Sequence, residues 1–206
     1  MQLFITGIGT DVGKTIASAV LTQGLRAEYW KPVQSGLLET DKGTMKNILG
    51  NDLLVHPSIY ELKEPASPHY SAALEGISIE LEEFITPKTE NNLVVEGAGG
   101  LMVPLNQNDL LIDLIEKLNI PVVLVSKNYL GSINHTILSI EALKKRNIPL
   151  VGVLFNGEEN KATESHIVHY CKVEHLGRIE HLDKIDFESI KSQQKNIRYE
   201  KITASR

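Results

Sequence analysis

Lys14 and Thr15 close the run Phe4-Ile5-Thr6-Gly7-Ile8-Gly9-Thr10-Asp11-Val12-Gly13-Lys14-Thr15, in which an apolar stretch passes through a glycine-rich turn into Gly-Lys-Thr. In such a turn backbone N–H groups wrap a phosphate, the lysine ammonium neutralises its charge and the threonine hydroxyl ligates Mg²⁺. The helix that follows points its positive end at the anion. The spacing is irregular, because the usual pattern places its first glycine where Ile8 stands, and Gly7 and Gly9 flank that position. Context supplies what spacing lacks: an apolar strand precedes the turn and the amphipathic run Ile16 to Leu25 follows it. The competing reading is a plain strand-turn-helix with an incidental Gly-Lys-Thr.

Two further places carry charge at the end of a strand. Leu93-Val94-Val95 runs into Glu96-Gly97-Ala98-Gly99-Gly100, a carboxylate at a buried strand tip beside glycines that admit close backbone approach. That is the expected acidic partner of a phosphate loop, with Glu where Asp is usual, and its task would be to hold Mg²⁺. Tyr29-Trp30-Lys31-Pro32-Val33-Gln34-Ser35-Gly36 closes another strand with a lysine and sets a serine at a tight turn four residues on. Lys31 reads either as a second ammonium for phosphoryl oxygens or as an exposed lysine.

The elements that must position these groups follow from the apolar runs at Gln2 to Thr6, Asn92 to Glu96, Pro121 to Ser126 and Pro149 to Phe155. Shorter strand candidates lie at Glu28 to Lys31 and Val173 to Ile179, and helical patterns at Leu110 to Leu118 and Ile133 to Arg146. This alternation predicts an α/β fold: a parallel sheet of six or seven strands covered by helices, with ligands gathered at the carboxyl ends of the strands. Glu64-Pro65-Ala66-Ser67-Pro68-His69 reads as a loop entering a helix at Tyr70. The polar tail from Gln193 to Arg206 reads as a loosely held terminal strand or a partly disordered end.

The length of 206 residues suits one domain, residues 1–206. A hydrophobic share of 42%, a charged share of 23% and a net charge of −5 describe an ordinary globular protein and argue against a general nucleic-acid binder. The lone Cys171 has no disulfide partner in the chain, and no Cys/His cluster has zinc spacing. The first strand begins at once and no apolar run reaches membrane-spanning length, so the expected location is the cytoplasm, with no membrane partner.

Together GIGTDVGKT at Gly7 to Thr15, KPVQSG at Lys31 to Gly36, EPASPH at Glu64 to His69, VEGAGG at Val95 to Gly100 and LGSINH at Leu130 to His135 resemble the dethiobiotin synthetase family. The motifs stand in the family's order and span residues 4 to 157. The resemblance implies a homodimer of P-loop NTPase-type subunits, each a mostly parallel sheet flanked by helices on both faces. It implies the conversion of 7,8-diaminononanoate, CO₂ and MgATP to dethiobiotin, ADP and phosphate. A substrate amine captures CO₂ as a carbamate, whose oxygen attacks the γ-phosphate, and the second amine closes the ring on the resulting carbamic-phosphoric anhydride.

The same resemblance gives Lys14 and Lys31 the charge developing on phosphoryl and carbamate oxygens, with Thr10 as a further catalytic candidate of the loop. It gives the nucleotide to Asp11, Val12, Gly13, Lys14, Thr15 and Ile16, to Glu96, Gly97, Ala98 and Gly99, and gives base recognition to Asn156 and Gly157. Glu180 stands where the family usually has proline, so base contacts at 180 to 182 are not carried over. Ser35 falls at the substrate end, and Gly131, Ser132 and Asn134 open a helix whose N-terminus receives the substrate carboxylate from the other subunit. His135 reads as a structural histidine. Magnesium falls to Thr15, Glu96 and an aspartate opening a helix. Asp41 precedes a helical pattern carrying Met45, Ile48 and Leu49, whereas Asp52 follows a Gly-Asn stop, so Asp41 is the expected ligand. Two rivals share the fold: a partitioning-type ATPase, which usually carries an early second lysine in its loop, and a non-enzymatic nucleotide-sensing domain.

Overall fold

The computed structural model describes residues 1–204. Its chain order is β1 (Gln2–Gly7), α1 (Lys14–Leu25), β2 (Glu28–Trp30), β3 (Val33–Ser35), α2 (Asp41–Leu49), β4 (Val55–His56), β5 (Tyr60–Leu62) and α3 (Pro68–Leu74). There follow β6 (Leu93–Gly100), α4 (Leu111–Leu118), β7 (Val122–Lys127), α5 (Ser132–Lys145), β8 (Leu150–Asn156), α6 (Lys161–Cys171), β9 (His175–Ile179), α7 (Phe187–Gln193) and α8 (Tyr199–Thr203). Seven strands form one sheet in the order β4-β2-β6-β1-β7-β8-β9, and β3 pairs with β5 in a separate ribbon. Every ladder is parallel.

Side-chain alternation along the strands divides the core into two layers. Leu3 and Ile5 of β1 face the side covered by α1, α2, α7 and α8, whose Leu21, Met45, Ile190 and Ile202 are buried there. Phe4 between them faces α3 and α4, with Ala72, Ile112 and Ile115, while α5 and α6 cover Val153 and Phe155 further along. Helices on both faces of a parallel sheet is the architecture expected from the alternation, and all carboxyl ends open on one rim.

Two local departures matter. The register runs Ile5 to Glu96 but Gly7 to Gly100, so β6 spends four residues where β1 spends two and bulges through Gly97, Ala98 and Gly99. Gly99 has φ 68°, a conformation glycine adopts at no cost. The strand therefore does not stop at Glu96; it swells there. The tail is also ordered through residue 204, contrary to the expected loose end. Ile197 and Ile202 are buried, the Tyr199 hydroxyl donates to the Val20 carbonyl, and the terminal element is a helix rather than a strand. Residues 205 and 206 of the predicted tail lie outside the described residues.

Candidate active site

The glycine-rich turn is shaped by what surrounds Gly13. This residue has φ 91°, caps α1 without any side-chain acceptor, and leaves the first backbone N–H groups of α1 open to a ligand. A side chain there would be strained, and its Cβ would lie 2.1 Å from Asn156 Nδ2. The Asn156 amide donates to the Val12 carbonyl at 2.9 Å, so the residue expected to read the base also pins the turn from the end of β8. Lys14 Nζ donates to the Gly9 carbonyl at 2.9 Å, which holds the ammonium across the mouth of the loop. Burial pushes this ammonium's pKa down; Glu96 opposes that and Lys31 adds to it, and the net direction is down.

Strand parity explains why the other charges meet it. Tyr29 pairs with Val94, so Tyr29, Val94 and Glu96 share one face of the sheet, the face that α1 and α2 cover. Lys31, just past β2, places its Nζ 3.2 Å from Glu96 Oε1 and 2.6 Å from Asp41 Oδ2. Asp41 is free to reach it because it does not cap α2. Thr40 does, its hydroxyl accepting from the Gly43 N–H, and Asp41 stands one residue inside. Gln34 fixes the same loop, its side chain accepting from the Asp41 N–H and donating to the Ser35 and Gly36 carbonyls.

Lys31, Glu96 and Tyr29 are all buried, and burying charge is unfavourable unless partners compensate. For Lys31 burial pulls the ammonium down, but attraction to Glu96 and Asp41 with their hydrogen bonds outweighs it and the pKa ends raised. For Asp41 burial raises the carboxyl, and Lys31, then the Thr15 hydrogen bond and Lys14, bring it below the ordinary value. Lys31 is thus a buried, paired ammonium and not an exposed lysine.

The Thr15 hydroxyl lies 2.6 Å from Asp41 Oδ1 and 2.9 Å from Glu96 Oε1. It carries one proton and can donate to only one carboxylate at a time, so this corner of the site has more oxygen lone pairs than protons to fill them. Two carboxylates and a hydroxyl are the hard donors that suit Mg²⁺, which keeps several waters and shares substrate phosphates rather than sitting in an all-protein cage. Among the described residues no group of three or more His, Cys, Asp or Glu could hold a metal ion. The donor set fits Mg²⁺.

These groups line a cavity of about 730 Å³ that runs from Lys14 and Thr15 past Lys31 to Ser35 and to Ser67 on the Glu64–His69 segment. Ser35 lines the far end of that space, and its hydroxyl is buried with no hydrogen-bond partner.

Comparison with known proteins decides what such a cavity belongs to. The family model described as an AAA domain matches residues 1–189. An ATP-dependent dethiobiotin synthetase of Christiangramia forsetii is 50% identical over 179 residues, covering 86% of each chain. Another, of Cytophaga hutchinsonii, is 46% identical over 191 residues, covering 92% of this chain and 93% of that one. This chain belongs to the ATP-dependent dethiobiotin synthetase family. Among solved structures it is similar to a ParA family ATPase from Chlorobium tepidum, with TM-score 0.55 and 14% identity over 93% of this chain and 90% of the other. That likeness concerns the fold alone, a phosphate-loop NTPase sheet, and does not favour the partitioning reading.

Within this member of the dethiobiotin synthetase family, the cavity collects most of the residues singled out by sequence. Thr10, Asp11, Gly13, Ile16, Ala98 and Gly99 line it along with the charged groups. Val12 is buried beneath the loop, and Gly97 packs on Phe4 and Leu111, away from the opening. Asp52 is exposed in the turn after α2. Gly131, Ser132 and Asn134 are not brought to Lys31 within the chain; Gly131 lies at a separate hollow with Asn128 and Glu158. Gly131 caps α5 with φ 102° and no side-chain acceptor, Ser132 is buried and Asn134 exposed. Among the described residues no helix is long and apolar enough to cross a membrane. Sequence reasoning passed over Tyr29 and Gln34. An aromatic in a strand reads as core, and only the parity of β2 against β6 could have pointed Tyr29 at Glu96.

Proposed function

We propose that this chain is an Mg²⁺-dependent cyclo-ligase that joins CO₂ to 7,8-diaminononanoate and closes the ureido ring at the expense of ATP. The observation that carries this is the buried Lys31, paired with Asp41 and Glu96 and facing the same cavity as Lys14. One substrate amine adds to CO₂, losing a proton and leaving a carbamate. A carbamate oxygen attacks the γ-phosphorus and the bond to ADP breaks. The second amine then attacks the carbamoyl carbon, loses a proton and expels phosphate.

In each step negative charge develops on carbamate or phosphate oxygens, so the catalyst needed is fixed positive charge rather than a nucleophile. Lys14 and the open N–H groups of α1 face the β- and γ-phosphates. Lys31 faces the oxygen shared by the carbamate and the transferred phosphoryl group, held there by two carboxylates and so unable to follow its own hydration. Ser35 offers its unpartnered hydroxyl to the diamine end. Thr15, Asp41 and Glu96 would hold Mg²⁺, which when bound draws charge off the phosphate oxygens. Asn156 with Gly157 borders the base.

The subunit, one domain working in the cytoplasm, pairs with a second copy. The start of α5 in each copy then meets the substrate carboxylate bound on the other. The uncapped N-terminus of α5 supports this, as do Leu38 and Leu130, two fully exposed leucines on the loops beside the two half-sites. The test is ATP turnover measured with and without diaminononanoate and bicarbonate, the product weighed by mass spectrometry. ADP release that requires both co-substrates and yields dethiobiotin supports the reading; ATP hydrolysis indifferent to them overturns it.

A further inference from the structure

We infer that Tyr29 is a positioning residue that sets the metal-binding orientation of Glu96, an inference that rests on the reading of Thr15, Asp41 and Glu96 as the Mg²⁺ ligands. The Tyr29 ring fills the layer between the sheet and α1, where a phenylalanine would pack as well. Its hydroxyl nevertheless donates to Glu96 Oε2 at 2.9 Å in a fully buried environment. The other oxygen, Oε1, faces Thr15 and Lys31. The carboxylate is therefore held at both ends: Oε2 by a neutral donor behind it and Oε1 by the groups of the cavity.

This arrangement answers a problem the sequence raises. Where phosphate-loop proteins usually carry aspartate, this chain has glutamate, with one more rotatable bond between backbone and carboxylate. A longer arm at a metal corner gains reach and loses definition, because it can swing Oε1 away from the ion in several rotamers. Tyr29 stands two residues before Lys31 on the same face, so one strand end supplies both the donor that fixes the rear oxygen and the ammonium that pairs with the front one. The hydroxyl acts behind the carboxylate and does not line the cavity, which sets its role apart from that of Lys31. Partners of this kind behind a ligating group typically change metal affinity about ten- to a hundredfold when removed.

The measurement is the dissociation constant of Mn²⁺, followed by electron paramagnetic resonance of the free ion, for the whole protein with a non-hydrolysable ATP analogue. Nucleotide affinity without metal, in EDTA, is measured alongside. Glu96→Gln tests the reading on which the inference rests: if it leaves Mn²⁺ affinity unchanged, the ligand assignment fails, whatever Tyr29 does. With that established, Tyr29→Phe is expected to weaken Mn²⁺ binding about tenfold while metal-free nucleotide affinity holds, and turnover lost at low Mg²⁺ returns as Mg²⁺ is raised. Tyr29→Leu lacks the hydroxyl and also leaves a gap in the core, so it melts lower than Tyr29→Phe yet must show the same loss of Mn²⁺ affinity. Two results overturn the inference: unchanged Mn²⁺ affinity in Tyr29→Phe, or Mn²⁺ affinity that follows melting temperature across the two variants.

Discussion

Lys31→Ala removes the buried cation that sits between Asp41 and Glu96, and its effect on stability follows from that geometry. At an effective dielectric of about 20, attraction to Asp41 at 2.6 Å and to Glu96 at 3.2 Å amounts to about 6 and about 5 kcal/mol. Most of this is cancelled in the native protein by the desolvation of three charged groups. The variant still bears the desolvation of Glu96 and most of that of Asp41, without the compensating charge. Breaking a buried pair in this way costs about 3 to 5 kcal/mol. The Asp41 side chain is 28% exposed and Lys14 lies nearby, so the lower figure, about 3 kcal/mol, is expected.

In a chain of this size that corresponds to a melting temperature lower by roughly 6 to 12 °C, read by calorimetry in the absence of Mg²⁺. Turnover is expected to fall by about a hundredfold or more, the scale of losing one preorganised donor of charge. Acid narrows the stability gap. Asp41 is held below its ordinary pKa in the fold, so its contribution is complete above the unfolded value, about 3.9, and is lost as pH falls through the lower folded value. Lys31 is raised, so its contribution is complete below its unfolded value, about 10.4, and fades only as pH rises through the higher folded one. The gap between wild type and variant therefore begins to narrow below about pH 4. A shift of less than about 2 °C at neutral pH, with turnover within about tenfold of wild type, would refute the reasoning.

Other perturbations follow from the same geometry. Asp41→Asn should raise the Mg²⁺ needed for half-maximal turnover far more than Asp52→Asn, because a hard cation prefers carboxylate oxygen and Asp52 is exposed outside the cavity; equal effects would remove Asp41 from the metal site. Gly13→Ala should destabilise the protein by about 2 to 4 kcal/mol, from a strained φ and a clash with Asn156. Adding Asn156→Ala should return part of that loss in thermal melts. Asn134→Leu should raise KM for diaminononanoate and leave ATP binding intact. Mixed with Lys14→Ala under subunit exchange, it should regain activity, since some mixed dimers carry one complete site; no regain would place each site within a single chain.

What could be read from sequence was whatever the chain declares by local pattern. Apolar runs gave the order of the strands, and Lys14, Thr15, Lys31 and Glu96 each announce themselves by standing where such a run meets glycine or proline. The choice of Asp41 over Asp52 rested on a helix start, and the structure places Asp41 beside Lys31 while giving the cap to Thr40. Three of the shortest strands were out of reach. β4 and the β3–β5 ribbon are too short to show a period, and Ser35, read as standing at a tight turn, ends the strand Val33–Ser35. The tail was misjudged because two isoleucines, Ile197 and Ile202, anchor an otherwise polar segment, and spaced single anchors leave no amphipathic signature. The swelling of β6 after Glu96 is a property of pairing with β1, which no single stretch of sequence contains.

The most direct measurement follows an oxygen atom. Freshly dissolved C¹⁸O₂ is supplied in ordinary water with diaminononanoate and MgATP, and the phosphate released early is weighed by mass spectrometry. If a carbamate oxygen attacks the γ-phosphorus within the cavity that joins Lys14 to Lys31, each dethiobiotin formed is accompanied by one phosphate carrying one ¹⁸O, and the second ¹⁸O stays in the ureido carbonyl. Unlabelled phosphate, or phosphate released at the same rate without the diamine, would contradict the account.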